Sequence, residues 1–177
     1  MPMARFRYVS PYGVIELSGE EGRLYRVELG CSGRAGSPEG DTPEPFVEML
    51  DCYFRGENIR CKPGMLCLNG LSEFRRRVYE MLMDVPFGSV VSYGELAELC
   101  GCPHASRAIG GAMAANPLPI FIPCHRVIRA GGGLGGFSAG LDWKVSLLGH
   151  EGWALKGGRI LARRAKPATD LEEGPRQ

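Results

Sequence analysis

The sequence predicts an α+β chain in two parts, and three observations carry that reading. Short β-rich runs separated by turn residues fill the first 30 residues. An amphipathic helical period then appears near residue 50 and again near residue 78. Beyond residue 90, two short helical segments flank a Gly-Cys-Pro turn.

The strands come first. Phe6–Val9, Val14–Leu17 and Leu24–Leu29 are rich in β-branched and aromatic residues, and Ser10–Gly13 and Gly19–Gly22 punctuate them as hairpin loops. Residues 31–43, rich in Gly, Ser and Pro, read as a loop. A helix follows over Glu44–Phe54, because Phe46, Met49, Leu50 and Tyr53 share one face and Gly56 lies just past its end. Asn58–Gly70 reads as a connector, so the chain divides into parts at 1–70, 71–155 and 156–177.

In the second part, Phe74, Val78, Met81 and Leu82 line a helix that must end before Pro86, with Arg75, Arg76 and Arg77 on its solvated faces. Ser92-Tyr93-Gly94-Glu95 is a capping box opening a helix from Tyr93 to about Cys100. A second helix over Ala105–Ala115 stops at Asn116-Pro117, giving a helix-turn-helix pattern that an ordinary helical hairpin also satisfies. That second helix is bare. Gly110 and Gly111 each cost about 1 kcal/mol against alanine, so a packed helix or a nucleic-acid groove must approach the backbone there. Pro119–Pro123 reads as an extended apolar segment leading to Cys124, and Gly131–Gly140 as a mobile or tightly turned loop. Without a following Lys-Ser/Thr, that loop is not a P-loop. The last helix, Asp142–His150, is expected to bury Val145, Leu147 and Leu148, and the charged tail after Trp153 to be largely disordered.

Composition excludes several classes. With 44% hydrophobic and 23% charged residues the chain is that of an ordinary soluble globular protein. No apolar run approaches the roughly 18 residues a membrane span needs, and Met1–Arg7 lacks a signal-peptide core, so a cytoplasmic protein is expected. Seven unevenly spaced cysteines read as reduced thiols, and nothing decides whether Cys61 and Cys67 pair. The net charge is +1: residues 1–70 contribute 8 basic and 10 acidic groups, 71–155 contribute 7 and 7, and 156–177 contribute 6 and 3. Any DNA binding must rest on a few placed arginines, with a shallow salt dependence.

The chemistry is concentrated in Ile122-Pro123-Cys124-His125-Arg126-Val127, where a thiol sits beside an imidazole and a guanidinium. Such neighbours can turn a cysteine into a thiolate, the form that attacks electrophiles. Adjacent side chains in an extended segment point to opposite sides, so a bridging water is expected between Cys124 and His125, with Glu151 orienting the imidazole. Cys100-Gly101-Cys102-Pro103-His104 has the look of a metal tract but is too tightly spaced, and residues 1–60 hold no histidine and only Cys31 and Cys52; neither metal nor cofactor is expected.

Pro123–Val127, preceded by Gly110–Met113 and Asn116-Pro117 and accompanied by Val91–Ala97, Gly136–Leu141 and Leu147–Gly152, resembles the O6-alkylguanine-DNA alkyltransferase family. Upstream, Tyr53-Phe54-Arg55-Gly56 is similar to the end of that family's N-terminal domain. The resemblance implies a ribonuclease-H-like N-terminal sheet with a helix, and a winged-helix-like C-terminal domain. It implies a monomer that binds double-stranded DNA through the minor groove with little sequence specificity and flips the damaged base. Cys124 would take the alkyl group from O6-alkylguanine once and irreversibly, since a thioether has no route back to the thiol. O4-alkylthymine is a further candidate substrate. His125, Glu151, Asn116 and Tyr93 would complete the catalytic set. Arg107 would fill the vacated stack, with Ala105, Ser106, Ala108, Gly110 and Tyr93 along the DNA. Tyr93, Met113, Val127, Leu134, Phe137 and Ser138 would form the alkylguanine pocket. In it the Tyr93 hydroxyl would donate to the guanine ring, the carbonyls of Cys124 and Val127 would accept its exocyclic amine, and the Ser138 amide would face O6. Asn116 would pin the turn into the active site, and Arg126 would form ion pairs.

Phe137 departs from the tyrosine many members carry, and a pocket wall tolerates that change. Three rivals remain: a non-catalytic sensor of alkylated bases, which the presence of Cys124 disfavours; a DNA-binding regulator, which the Ala/Gly helix disfavours; and a cysteine hydrolase, for which no oxyanion loop is evident.

Overall fold

The computed structural model describes residues 4–31, 44–62 and 64–163. The expected loop at 31–43 and the tail from residue 164 fall almost wholly outside the described residues.

Three antiparallel strands, β1 (Ala4–Ser10), β2 (Gly13–Glu20) and β3 (Arg23–Leu29), form a meander in the order β1-β2-β3. Ile15 and Leu17 of the central strand point to the core and are fully buried, as period-2 alternation requires. The β2–β3 turn takes positive φ at both Glu21 (51°) and Gly22 (73°), the primed geometry that matches strand twist. Helix α1 (Glu44–Phe54) buries Phe46, Leu50 and Tyr53 and ends as the sequence predicts. Gly56 adopts φ 88°, Gly56 N–H bonds Tyr53 C=O and Glu57 N–H bonds Cys52 C=O, a Schellman stop. This termination leaves Tyr53 in the last turn, aimed into the second half of the molecule.

Residues 58–70 do more than connect. Leu24 N–H bonds the Met65 carbonyl at 2.8 Å and Cys67 N–H returns to the Leu24 carbonyl at 2.8 Å, so the segment extends the sheet edge. Helix α2 (Glu73–Met83), capped by Ser72, buries Val78, Tyr79 and Leu82. Tyr79 takes the inner position expected for Met81, because its hydroxyl reaches the Ala112 carbonyl at 2.8 Å. Strand β4 (Val91–Ser92) leads into α3 (Tyr93–Leu99) through both halves of the predicted capping box. A turn with Gly101 at φ 70° joins α3 to α4 (Ser106–Ala114).

Three expectations require correction. Residues 119–126 are not extended: the backbone folds on itself, Ile122 N–H bonding the Leu118 carbonyl at 2.8 Å, and Cys124–Arg126 form a 3-10 turn before β5 (Val127–Ile128). Ile120 pays for the fold with φ 74°, a conformation costing a β-branched residue about 1–3 kcal/mol and held by near-complete burial. In helix α5 (Leu141–His150) the buried residue is Lys144, while Val145 is 39% exposed, because carbonyls inside the fold bind the ammonium. The tail is ordered through residue 163 as a hairpin of β6 (Trp153–Lys156) and β7 (Arg159–Arg163). Gly157 and Gly158 form its two-residue turn at φ 57° and 73°. The glycine run it packs against is accordingly held by backbone bonds, Ile160 N–H to the Gly132 carbonyl at 2.8 Å and Leu134 N–H to the Gly158 carbonyl at 3.1 Å.

A continuous apolar core joins both halves, from Ile15 and Leu17 through Phe46 and Val78 to Ile122 and Leu147. The division near residue 70 is therefore bridged, also by Val27 N–H to the Pro117 carbonyl at 2.8 Å. Among the described residues no helix is long and apolar enough to cross a membrane.

The capping box sets the position of Tyr93, so Ser92→Ala is expected to lower stability by about 1 kcal/mol, read as a shift in urea midpoint with unchanged slope.

Candidate active site

Cys124 sits on the 3-10 turn, 3% exposed, at a cavity of about 350 Å³ lined also by Tyr93, Gly110, Met113, Phe137 and Ser138. Asn116 shapes the approach to it. Its side-chain amide donates to the Ile122 carbonyl at 2.9 Å while its oxygen accepts from Leu118 N–H at 3.0 Å, closing the turn between α4 and the cysteine.

His125 is fully buried on the same turn. Its Nε2 lies 2.7 Å from Glu151 Oε1. A carboxylate only accepts, so Nε2 carries the ring proton and Nδ1 presents a bare lone pair. That Nδ1 has no hydrogen-bond partner among the described residues. Burial drives the imidazole pKa below its ordinary 6.5, against the pull of Glu151, so the ring is neutral at physiological pH and free to accept a proton.

Glu151, at the C-terminal end of α5 and 1% exposed, is a hub. Arg126 reaches both its oxygens, Nε at 3.0 Å and Nη2 at 2.8 Å, as an ion-pairing role requires. Tyr53 donates its hydroxyl at 3.0 Å and Gly88 its backbone N–H at 2.9 Å. Burial would raise the carboxyl pKa, but His125 and Arg126 outweigh it and hold the group at about 2. Tyr53 was legible only as a core position of a helix, and no spacing ties it to a residue 98 positions away.

Lys144 is the second unforeseen member. Its ammonium donates to the carbonyls of Val127 (2.6 Å), Leu134 and Gly136 (3.3 Å), fastening β5 to the glycine run. Burial lowers its pKa to about 8, and a thiolate at Cys124 would oppose that shift. Cys124 itself is pushed up to about 11 by burial, against hydrogen bonding from Asn116 and the charge of Lys144. At rest it is a thiol, not a thiolate.

Of the expected pocket residues, Tyr93, Met113, Phe137 and Ser138 line the cavity. Val127 is fully buried and Leu134 lines a neighbouring groove, the carbonyl of each accepting from Lys144. A methyl group at Gly135 would sit 2.7 Å from the Tyr93 hydroxyl, so glycine is required there to seat the ring. On α4, Arg107, Ala108, Gly111, Ala114 and Ala115 are exposed, and Ala105, Ser106 and Gly110 half-buried. Among the described residues, nothing beyond the helix's own backbone and the chain neighbours lies within 4 Å of a methyl group placed on Gly110 or Gly111, which argues against a packed helix as the reason for these glycines. Arg107 has no ion-pair partner among the described residues. All seven cysteines are free, Cys61 and Cys67 included.

A neutral imidazole backed by a carboxylate, next to a sequestered thiol under an open α4, belongs to cysteine nucleophile chemistry on a helix-turn-helix frame. Comparison with known proteins narrows this class. Residues 73–153 match the model of the 6-O-methylguanine DNA methyltransferase, DNA binding domain. The chain is 42% identical over 155 residues to the methylated-DNA--protein-cysteine methyltransferase of Mycolicibacterium paratuberculosis, covering 84% of this chain and 93% of the relative. It is 38% identical over 170 residues to the human protein of the same name, covering 86% and 82%. The crystal structure of Mycobacterium tuberculosis OGT in complex with DNA superposes with a TM-score of 0.71 at 35% identity, covering 83% and 92%. The chain belongs to the O6-methylguanine DNA methyltransferase family.

The hub predicts a pH dependence. A carboxyl held at about 2 against an ordinary 4.5 contributes stability above 4.5 that is lost as pH falls toward 2. Glu151→Gln is expected to cost about 3–5 kcal/mol at neutral pH, leaving Arg126 buried and unpaired. It is also expected to flatten the acid limb of a urea-unfolding series between pH 4.5 and 2; an unaltered acid limb would contradict the ion-pair assignment.

Proposed function

We propose that Cys124 is the single-use acceptor of an alkyl group from O6-alkylguanine in double-stranded DNA, in a repair reaction. The observation that carries this reading is the unpartnered Nδ1 of a neutral imidazole whose other nitrogen is engaged by Glu151, next to a thiol that lines a base-sized cavity.

The thiol passes its proton through a water to His125 Nδ1, and Glu151 stabilises the imidazolium that results. The thiolate forms beside the Lys144 ammonium and attacks the alkyl carbon. The S–C bond forms as the C–O6 bond breaks, and the electron pair leaves with the guanine. A hydrogen bond from Tyr93 to the ring supports that departure, and the Val127 carbonyl takes the exocyclic amine on the lone pair that Lys144 leaves free. The Cys124 carbonyl accepts the same amine, and the Ser138 amide faces O6. No group remains that could hydrolyse the thioether, so each molecule acts once. A resting pKa of about 11 suits such an acceptor, because a buried thiol avoids oxidation and wasted reaction before the base arrives.

The exposed Ala/Gly face of α4 supports entry into the minor groove, where close backbone approach without base-edge readout gives little sequence specificity. Arg107 fills the space the flipped base leaves. The meander with α1 fits a small ribonuclease-H-like unit, and α2–α4 with the following strands a winged-helix-like one. The reading is of a monomer working in the cytoplasm. Phe137 walls the pocket without a hydroxyl.

Incubation with duplex oligonucleotide carrying O6-methylguanine is expected to add one methyl group to the peptide containing Cys124, stoichiometrically, by mass spectrometry. Cys124→Ala abolishes transfer and retains duplex binding; binding without transfer by the unaltered protein would favour a sensor. Arg107→Ala is expected to slow transfer from duplex DNA at least tenfold, a loss of about 1.4 kcal/mol, with a free alkylguanine reacting at the original rate. Equal slowing on both substrates would refute the finger role.

A further inference from the structure

Beside the alkylguanine cavity lies a second groove of about 500 Å³ that the reaction does not use, lined by Arg129, Gly131, Gly133, Leu134, Gly135 and Arg159. Its cationic members come from two places: Arg129 from the end of β5, and Arg159 from the β6–β7 hairpin, outside residues 73–153 that match the family's domain.

We propose that Arg129 and Arg159 form a phosphodiester clamp for the DNA strand that carries the flipped nucleotide, and that the β6–β7 hairpin serves to build it. The inference rests on the reading of Cys124 as acceptor for a base in DNA. Four observations lead to it. The groove and the alkylguanine cavity share a wall: Gly135 lines one and packs its backbone against the Tyr93 hydroxyl of the other. A nucleotide whose base occupies the cavity must carry its own phosphates across that rim.

The Arg159 guanidinium and the Arg129 stem are also held in place. Arg159 Nη2 donates to the Gly131 carbonyl at 2.6 Å, and the Arg129 stem lies over Gly133, its Cβ and Cδ at 3.6 Å from where a methyl group there would sit. Arg129 and Gly133 close a tight turn, with Arg129 N–H bonding the Gly133 carbonyl at 2.7 Å and Gly132 N–H bonding the Arg129 carbonyl at 3.0 Å. Glycine at 132 has a stated purpose in this assembly. Its φ is 88° and an added methyl group would stand 3.2 Å from the Ile160 carbonyl, so a side chain would lift the hairpin, and Arg159 with it, off the groove.

Charge completes the case. Both arginines are exposed, no carboxylate lines the groove, and neither has an ion-pair partner among the described residues. In a chain of net charge +1 whose other arginines include several ion-paired ones, such as Arg126 with Glu151 and Arg55 with Glu57, two unpaired guanidiniums lining one groove form a local anion site. A planar guanidinium meets a phosphodiester bidentately.

The test uses Arg129→Gln, Arg159→Gln and the double variant; glutamine retains a donor for the Gly131 carbonyl while removing the charge. Duplex affinity is measured across a salt series, and transfer is measured on both duplex O6-methylguanine and free O6-benzylguanine. Each substitution is expected to reduce the slope of log affinity against log salt by about 0.9 and to weaken duplex binding on the order of tenfold. Transfer from the free base should continue at the unaltered rate, and Arg159→Lys should keep the slope. An unaltered slope in the double variant overturns the clamp, as does an equal loss on the free base, whether or not Cys124 is alkylated. Absence of Cys124 alkylation in the unaltered protein overturns the acceptor reading instead, and the salt slopes then decide the clamp by themselves.

Discussion

The buried carboxylate of Glu151 is the interaction on which the rest depends. It takes donors from α1 through Tyr53, from the turn after α2 through Gly88, and from the 3-10 turn through His125 and Arg126, while itself ending α5. Removing a carboxylate and a guanidinium from water costs several kcal/mol per ion, and only a full set of hydrogen bonds offsets that. Beyond the carboxylate, Arg126 also donates from Nη1 to the Val85 carbonyl at 2.7 Å. The network is thus specific rather than merely stabilising. It fixes the one imidazole tautomer that leaves Nδ1 open, and it does so by closing the N-terminal half onto the C-terminal half.

A second buried charge performs the complementary task. Lys144 joins the carbonyls of Val127, Leu134 and Gly136, which holds the strand after the cysteine against the glycine run and so shapes both the base cavity and the groove next to it. Its ammonium also opposes the desolvation that keeps Cys124 protonated. In the proposed transfer, Glu151 and Lys144 would act on opposite sides of the same event, one stabilising the proton after it leaves and the other the sulfur it leaves behind.

Strain and glycine are concentrated around this centre. Ile120 adopts a left-handed backbone so that Asn116 can hold both ends of the turn, and Gly135 leaves room for Tyr93. On α4, Gly110 lines the cavity and Gly111 is exposed at the surface. Glycine thus serves the interior contact in one place and the exterior surface in the other.

What the sequence determined by itself is what local physics writes into neighbouring residues. The capping box at Ser92, the apolar period and glycine stop of α1, the bare second helix and the Cys-His-Arg run were all legible, because each signal spans no more than about a dozen positions. The β6–β7 hairpin was equally local in its Gly157-Gly158 turn, but the surrounding charge masked it. The tertiary structure alone decided that Tyr53 meets Glu151 across 98 positions, that Lys144 turns inward to bind three carbonyls, and that residues 119–126 coil instead of extending. Those outcomes depend on which polar groups meet once water is excluded. An ordinary lysine or tyrosine in a helix period carries no mark of the partner it will find.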